Sequence, residues 1–396
     1  MSLRLLLPTL MSRLLDLPGE LQAAIVDSID DDYFSLTLQW LSTTHSTLRT
    51  LCQRRLFHTV RLYAGTEKMF HADYRRLVPC SRFPAAPRIA AHVRNMTIHL
   101  VPYHCDERPV TEALQAVVPN LQVFKVVGTS RRWRGFSEPL SRTLAEAMQG
   151  NMLESLCLVN LRRIPAAALY AAMRQVTHLT LRNCSVRKED RQPVGTACTT
   201  VSSLRFLSVA SMSRADCLVL VAPAAAKLHQ LANLRWFHQF NLSCDLRGHP
   251  FFRTLNALET LLFYCTALQS PIYLPSLPNL RTLTLCTGVP TASFALPAAL
   301  GPTLRSLSAS IALTIRCNVS SMPNMPTERT PLLTPDEMKA CAIDLDEIKF
   351  ELALWAQNMR NEVYMAQAGT RFTAALKEGL PERNTKWEVV EHHGEE

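Results

Sequence analysis

Apolar residues recur at two different spacings along this chain, and the change of spacing divides it. Between residues 14 and 60, Leu21, Ile25 and Ile29 are four residues apart, which places them on one face of a helix. From residue 93 onward the pattern becomes apolar-x-x-apolar-x-apolar, which predicts short strands with one buried face. We therefore expect a small helical module followed by a longer body of repeated strands.

The front module is predicted to contain three helices. The first opens at Leu17-Pro18-Gly19-Glu20-Leu21, with Pro18 at a first helical position, where its missing N–H costs nothing. Ser46 is predicted to cap the third helix. The apolar residues of the second and third helices are Phe34, Leu38 and Leu41, then Leu48, Leu51, Cys52 and Leu56. A unit this small cannot usually bury three apolar faces among its own helices. It should therefore pack either against the rest of the chain or against another protein.

The body of the chain repeats one short formula. Leu258-Glu259-Thr260-Leu261 and Leu280-Arg281-Thr282-Leu283 share it, and Pro119-Asn120-Leu121 and Pro278-Asn279-Leu280 share a lead-in. The apolar pattern begins at positions 22 to 32 residues apart, which are Val93, Leu121, Leu153, Val176, Leu204, Leu234, Leu258, Leu280 and Leu304. This period is typical of leucine-rich repeats, in which stacked units bury a continuous core.

Further features predict an irregular solenoid of such repeats. Residues 139–148 and 165–174 have helical spacing between strands, and Val60-Arg61-Leu62-Tyr63 is predicted as the first strand. Cys184 falls on the turn position that such repeats give to Asn or Cys. The formula at Leu234-x-x-Phe237-x-Gln239 breaks the third apolar place. We therefore predict degenerate repeats with variable outer helices.

The last 79 residues of the sequence change character. Residues 318–335 are rich in Pro, Ser, Asn and Thr, which predicts a linker or loop. Residues 336–377 carry spaced apolar positions that predict one or two amphipathic helices, and Trp387-Glu388-Val389-Val390 predicts a last strand before a frayed tail. The predicted α/β organisation is an extension at 1–13, the helical module at 14–60, the solenoid at 61–317, the linker at 318–335 and a helical cap at 336–396.

Composition argues against an enzyme. Gly is only 12 of 396 residues, about half the usual ~7%, so phosphate-cradling loops are poorly provided for. The sequence contains no G-x-G-x-x-G, G-x-x-x-x-G-K-[ST], H-E-x-x-H or G-x-S-x-G motif. Its 12 Cys include no C-x-x-C, and the closest His/Cys cluster, His99, His104 and Cys105, matches no zinc spacing. We predict no catalytic residues, no cofactor and no metal.

Cysteine placement and the length of the apolar runs indicate the compartment. Cys157, Cys184, Cys265 and Cys286 lie near the ends of apolar segments, as small buried hydrophobes do in a reducing compartment. The longest apolar run, residues 217–226, is too short to span a membrane. We therefore expect a soluble protein of the cytoplasm, the nucleus or both.

The net charge of +9 leaves a nucleic-acid interpretation open. Residues 328–396 carry 8 basic and 14 acidic residues, so the rest of the chain is strongly basic. The basic residues come as scattered pairs, and only Arg131-Arg132-Trp133-Arg134 forms a compact cluster with an aromatic residue. An exposed turn is the ordinary explanation of that cluster, and a phosphate or partner contact is the other. Nucleic acid is the least favoured partner.

The helical module resembles an F-box. The residues that carry the resemblance are Leu17-Pro18-x-Glu20-Leu21-x3-Ile25-x3-Ile29, Leu41-Ser42-x5-Leu48-Arg49-x-Leu51 and Leu56-Phe57-x2-Val60-x-Leu62. The closing stretch from Arg54 to Leu62 is similar to the end of the F-box in many fungal F-box proteins. One departure is Asp30-Asp31-Asp32 followed by Tyr33, where a more apolar helix end is common.

In that family the module binds the small Skp-type adaptor of cullin–RING ubiquitin ligases. The resemblance implies that Leu17, Pro18, Leu21 and Ile25 contribute to that contact. It also implies a substrate-receptor subunit of an SCF-type ligase, whose repeats bind a target protein of unknown identity and whose role is proximity.

The alternative is a leucine-rich-repeat interaction scaffold unconnected to ubiquitin. There the front helices would fold back as a cap of the repeats. The two hypotheses differ in the state of residues 17–29. Their apolar face is open to a partner in the first and sealed against residues 60–62 and the next helix in the second.

Overall fold

A computed structural model describes the chain in segments that fall into two compact units, Met1–Leu161 and Arg162–Glu396. The described residues are 14–29, 37–39, 41–43, 45–64, 78–79, 87–100, 107–129, 132–187, 203–213, 216, 230–238, 255–265, 274, 276–288, 311–319, 347–355 and 384–392. Several predictions fall outside them. These are the 1–13 extension, Asp30-Asp31-Asp32, Tyr33, Phe34, His104, Cys105, Arg131, the repeat at Leu304, residues 320–335 of the predicted linker and the frayed tail after His392. The predicted linker start is wrong by two residues, because Asn318 and Val319 still belong to the strand Ala312–Val319.

The first unit opens with the predicted helices. Helix α1 is Gly19–Asp27, the backbone is helical again at 37–39 and 41–43, and helix α2 is Ser46–Leu56. Pro18 precedes α1 rather than opening it, with an extended ψ of 147° and a carbonyl that accepts from the N–H groups of Leu21 and Gln22. His45 caps α2 in place of the predicted Ser46, because its Nδ1 accepts from the Thr47 N–H at 3.2 Å.

A parallel sheet follows in the same unit. Its strands are β1 Thr59–Ala64, β2 Val78–Pro79, β3 Asn95–Leu100, β4 Val123–Val127 and β5 Ser155–Val159, in the order β2-β1-β3-β4-β5. The connecting helices are α3 Pro87–Ala90, α4 Arg108–Val117 and α5 Glu138–Ala147. β1 contains the predicted first strand, and α5 lies within one residue of the helix predicted at 139–148.

Burial alternates along these strands as their period of two requires. Met96 of β3 pairs with Phe124 of β4, which pairs with Leu156 of β5, and all three side chains are buried. The residues between them, such as Thr97 and Lys125, are more exposed. One face of the sheet therefore belongs to the core, and the other carries the polar side chains.

The second unit repeats the same arrangement. Its described residues form helix α6 Ala166–Gln175, predicted at 165–174, and eight parallel strands. The strands are β6 His178–Arg182, β7 Phe206–Ala210, β8 Asn233–His238, β9 Thr260–Cys265, β10 Thr282–Gly288, β11 Ala312–Val319, β12 Glu347–Trp355 and β13 Asn384–His392. They lie side by side in sequence order. Strand order and parallel pairing agree with the α/β repeat architecture predicted from the sequence.

Leucine occupies one buried row across the strands of this sheet. In register on successive strands from β6 to β11 lie Leu179, Leu207, Leu234, Leu261, Leu283 and Leu313. Every one of these side chains is buried. Burying a leucine is worth about 1.5–3 kcal/mol, so this row is a major source of the unit's stability.

The repeat around β8 corrects one predicted frame. Leu234 pairs with Leu207 and Leu261, the second apolar residue of their formulas, so this repeat begins at Leu231 rather than at Leu234. Its formula is then Leu231-x-x-Leu234-x-Trp236, with no broken place. Two frames fit this apolar stretch, and pairing with the neighbouring strands selects the earlier one.

Within the helical cap predicted at 336–396, the helices predicted over 336–377 are wrong at residues 347–355. Residues Glu347–Trp355 form strand β12, which pairs in parallel with β11 and β13. Ile348 and Leu352 are four residues apart, which suits a helix, but Phe350 between them completes an alternation that suits a strand equally well. β13 contains the predicted last strand, Trp387-Glu388-Val389-Val390, and extends it in both directions.

Three strands are each followed by a residue with a left-handed backbone conformation. Asn160, Asn183 and Ser211 follow β5, β6 and β7 directly and have φ values of 56°, 51° and 55°. Asn enters this region more readily than most residues, which explains two of the three choices. Cys184, predicted for the turn position, comes one residue after the left-handed Asn183 and is buried, with its Sγ donating to the Arg182 carbonyl at 3.4 Å.

Candidate functional site

Helix α1 has two faces of opposite character. Gln22 and Val26, four residues apart, are only 5% and 1% exposed. Leu21 and Ile25, also four residues apart, are 50% and 40% exposed. The helix therefore turns its larger apolar side chains away from the core of its own module.

The core of the module forms without Leu21 and Ile25. Its buried residues are Val26, Leu38, Leu41, Leu48 and Cys52, and partly buried Leu14, Leu15, Ile29, Leu51 and Leu56 pack against them. The predicted stripe Leu21-Ile25-Ile29 is thus divided, because Ile29 lies beyond the end of α1 and packs on this core. Burial raises the pKa of the Cys52 thiol, as expected of a side chain in an apolar interior.

Three of the four predicted partner-binding residues form one exposed line. Pro18, Leu21 and Ile25 are spaced three and four residues apart, so they lie along the same side of α1, and all three are exposed. We call these residues the α1 outer face. Leu17, the fourth, is half-buried in the turn before the helix, where its N–H donates to the Leu14 carbonyl at 3.3 Å.

Gln22 holds the turn that positions this face, and no pattern in the sequence indicates this role. Its Nε2 donates to the carbonyls of Leu17 at 2.8 Å and Leu15 at 3.2 Å. Its Oε1 is buried and accepts no hydrogen bond from a described residue. A buried amide bonded to backbone on one side fixes the path of the chain into Pro18. Gln22 is therefore a positioning residue for the α1 outer face.

Exposure of the α1 outer face distinguishes the two hypotheses. Among the described residues, the exposed large hydrophobic side chains are Leu21, Ile25, Val123 and Met152, and two of the four are neighbours on α1. The scaffold alternative expects this face to be sealed. The exposed fractions of Leu21 and Ile25 disagree with that expectation.

The face of the first sheet opposite to Met96, Phe124 and Leu156 carries most of its polar side chains. Arg61, Thr97 and Lys125 are in register on β1, β3 and β4, and Tyr63, His99 and Val127 form the next row. Partial burial of His99, together with the nearby charges of Lys125 and Arg61, lowers the pKa of its imidazole.

Within the basic cluster, the described residues 132–134 form an exposed turn around a buried ring. Trp133 is buried and packs edge to face against Phe136, with ring centroids 5.9 Å apart. Arg132 and Arg134 on either side of it are exposed. The aromatic residue therefore contributes to packing, and it is withdrawn from any surface on which a base could stack.

Two further searches concern metal and membrane. Within the described segments, no group of three or more His, Cys, Asp or Glu residues is placed to hold a metal ion. None of the helices described is both long and apolar enough to cross a bilayer.

Comparison with known proteins gives little. No family model matches the sequence, and no curated protein matches it. Eleven chains of solved structures are similar to this chain. One comes from the crystal structure of the Rad7 and Elc1 complex in yeast, with a TM-score of 0.39, 15% identity, and coverage of 94% of this chain and 91% of that one.

Proposed function

We propose that this chain is the substrate-receptor subunit of an SCF-type cullin–RING ubiquitin ligase. The α1 outer face binds a Skp-type adaptor, and the repeats bind a target protein. The observation that carries this proposal is the exposure of Leu21 and Ile25 on a helix whose module has already closed its own core. The order of F-box-like residues from Leu17 to Leu62 supports the same partner.

An exposed apolar pair on a small helical module is costly unless a partner covers it. Isolated exposed leucines are common on protein surfaces, but an adjacent pair beside an exposed proline offers a contiguous apolar contact. Burial against another helix would return roughly 1.5–3 kcal/mol for each large side chain. Central apolar anchors of this kind typically dominate an interface.

The chain itself breaks no bond in this role. It holds a target near the ligase, which raises the effective concentration of target lysines around the charged ubiquitin carrier. Parallel strands stacked in sequence order present a row of outward side chains that a target can contact over several repeats.

The test is capture of a purified Skp-type adaptor by the full chain. Leu21→Asp plus Ile25→Asp places two charges in the α1 outer face, and we expect at least a 30-fold loss of affinity, since truncation of a central anchor costs about 2 kcal/mol or more. Thermal unfolding should change little because both side chains are exposed. Adaptor binding that is undiminished in the double variant contradicts the proposal.

Met152→Asp is the matched control. Met152 is 55% exposed and lies outside the helical module, before β5. The Met152→Asp variant replaces an exposed apolar side chain by a negative charge, as the double variant does, and we expect it to leave adaptor capture intact. A similar loss in this variant would show that capture depends on general surface apolarity rather than on α1.

A further inference from the structure

Two loops of the second unit bring three arginines together. Arg162 and Arg163 lie shortly before α6, and Arg187 follows β6 by five residues. The two loops are joined by a parallel bridge between Ile164 and Val186, whose side chains are both buried. The Arg187 N–H donates to the Ile164 carbonyl at 3.0 Å, which extends the bridge by one residue.

This bridge fixes the backbone of the two arginines beside it. Paired residues of neighbouring strands are about 4.8 Å apart, so the Cα atoms of Arg163 and Arg187 lie within about 10 Å of each other. Arg163 has a left-handed φ of 58°, which residues other than Gly rarely adopt, and its N–H donates to the Ser185 Oγ at 3.1 Å. Both side chains therefore start from backbone that hydrogen bonds hold in place.

None of the three guanidinium groups has a partner among the described residues. The Nε atom of Arg187 is buried, and no described residue accepts a hydrogen bond from it. Arg162 and Arg163 likewise make no side-chain hydrogen bond or ion pair within the described segments. A buried donor without an acceptor is costly, so the Nε atom of Arg187 calls for an acceptor from outside these segments.

Asp216 is a carboxylate that reaches this region. Its two oxygens accept from the Val186 N–H and the Ser213 hydroxyl, and none of the three arginines pairs with it. The three positive charges therefore outnumber this negative charge. Arg163 and Arg187 are half-buried, and electrostatic attraction is stronger there because less water screens it.

We propose that Arg162, Arg163 and Arg187 form a binding site for a phosphate monoester dianion. This inference goes beyond the proposed function, because it concerns a ligand of the second unit and not the adaptor. Each guanidinium presents a planar fork of N–H groups that matches two phosphate oxygens. A dianion with three terminal oxygens provides acceptors for several such forks, whereas a carboxylate has two oxygens and one charge. Free phosphate and a phosphorylated side chain share this chemistry.

A monoester fits this cluster better than a nucleic acid does. Nucleic acids present phosphodiesters with one charge each, spaced along a strand, and are held by many cations along their length. The second unit instead gathers three cations around one bridge. The charge of the site is therefore concentrated on one small group.

The test titrates inorganic phosphate, up to about 10 mM, into the full chain at pH 8 and constant ionic strength, with phosphorus NMR line broadening as the measure of binding. We expect saturable binding. Arg163→Gln plus Arg187→Gln should weaken it at least tenfold, because two of the three forks are lost. Arg205→Gln plus Arg281→Gln is the matched control, since it removes two exposed arginines of the same unit, and it should weaken binding by less than threefold.

Thermal unfolding separates ligand binding from a structural role. Phosphate should raise the Tm of the native chain and leave that of Arg163→Gln plus Arg187→Gln unchanged, since a ligand stabilises the state that binds it. A second variant, Arg162→Gln plus Arg163→Gln, leaves the half-buried Arg187 in place and should weaken phosphate binding by a similar factor. A native Tm that phosphate does not move, together with a lower Tm in both variants, would assign the arginines a structural role and overturn the inference.

A phosphoserine pentapeptide and its unphosphorylated form identify the source of the phosphate. Tighter binding of the phosphopeptide than of free phosphate supports a phosphorylated side chain, and equal or weaker binding supports free phosphate. Four outcomes overturn the inference. They are no saturable binding of either probe, equal binding of the unphosphorylated peptide, equal weakening in the control variant, and tighter binding of an oligothymidylate through the same arginines.

Discussion

The backbone N–H of Val186 donates to Oδ1 of Asp216, thirty residues further along the chain, at 2.9 Å. Asp216 is 2% exposed, and its other carboxylate oxygen accepts from the Ser213 hydroxyl. The Asp216 N–H in turn donates to the Ser213 Oγ at 3.2 Å. A buried carboxylate thus joins the loop after β6 to the segment after β7, so two consecutive repeats share one polar anchor.

Replacement of Asp216 should weaken the link between these two repeats, and Ala should weaken it more than Asn. Asp216→Ala leaves the Val186 N–H buried without its acceptor, which typically costs about 1–3 kcal/mol. Asp216→Asn keeps an oxygen in place and should cost less. Hydrogen exchange at the Val186 amide measures this directly, and we expect fast exchange in the Ala variant and retained protection in the Asn variant. Equal protection in the two variants would show that the carboxylate does not hold this loop.

Gly128 is expected to tolerate no side chain. A Cβ there would lie 2.7 Å from Leu161 Cδ2 and 2.8 Å from the Asn160 carbonyl oxygen, and a backbone oxygen cannot move aside cheaply. Gly128→Ala should therefore destabilise the first unit by about 1–3 kcal/mol. Gly19, with open space around its Cβ position, is the control, and Gly19→Ala should be neutral or stabilising. Urea unfolding of both variants checks the pair, and equal effects would contradict it.

The strands could be predicted because their first apolar residue is tightly constrained. Val93, Leu121 and Leu280 each come two residues before a strand and are buried. Where the apolar residues fit both helical and strand spacing, the sequence pattern does not decide between a helix and a strand. Ile348 and Leu352 satisfy both, and the pairing partners of β12, which local sequence does not contain, decide between them.

The candidate site was predictable in part. Spacing placed Leu21 and Ile25 on one side of a helix, but it did not indicate whether that side faces the core of the module. The structure buries Gln22 and Val26 instead, because the core that α1 meets is assembled from residues distant in sequence, such as Leu38 and Leu48. Which face a helix buries depends on those partners, and an amide such as Gln22 is accepted inside when backbone carbonyls satisfy its N–H groups.

The Cys52 thiol should report opening of the helical module. It is fully buried and its pKa is raised, so the reactive thiolate is scarce and shielded in the folded state. We expect iodoacetamide to label Cys52 slowly in the native chain. Mass spectrometry of the peptide that contains Cys52 measures the extent of labelling over time. Leu48→Ala, which removes a fully buried neighbour in the same core, costs about 2–5 kcal/mol and should accelerate labelling strongly. Rapid labelling that is insensitive to Leu48→Ala would contradict this packing.

His99 should make the first unit less stable in acid. Burial, Lys125 and Arg61 lower the pKa of its imidazole in the folded state, whereas the unfolded chain has an ordinary value of about 6.5. As pH falls through that value, the unfolded state takes up the proton first, so the stability present at neutral pH is lost with acidification. His99→Gln should reduce the drop in the urea midpoint between pH 8 and pH 5. Arg61→Gln should raise the pKa of His99, measured by NMR, because it removes one of the two nearby charges. An identical pH dependence in the native chain and His99→Gln would mean that the folded and unfolded states bind this proton equally.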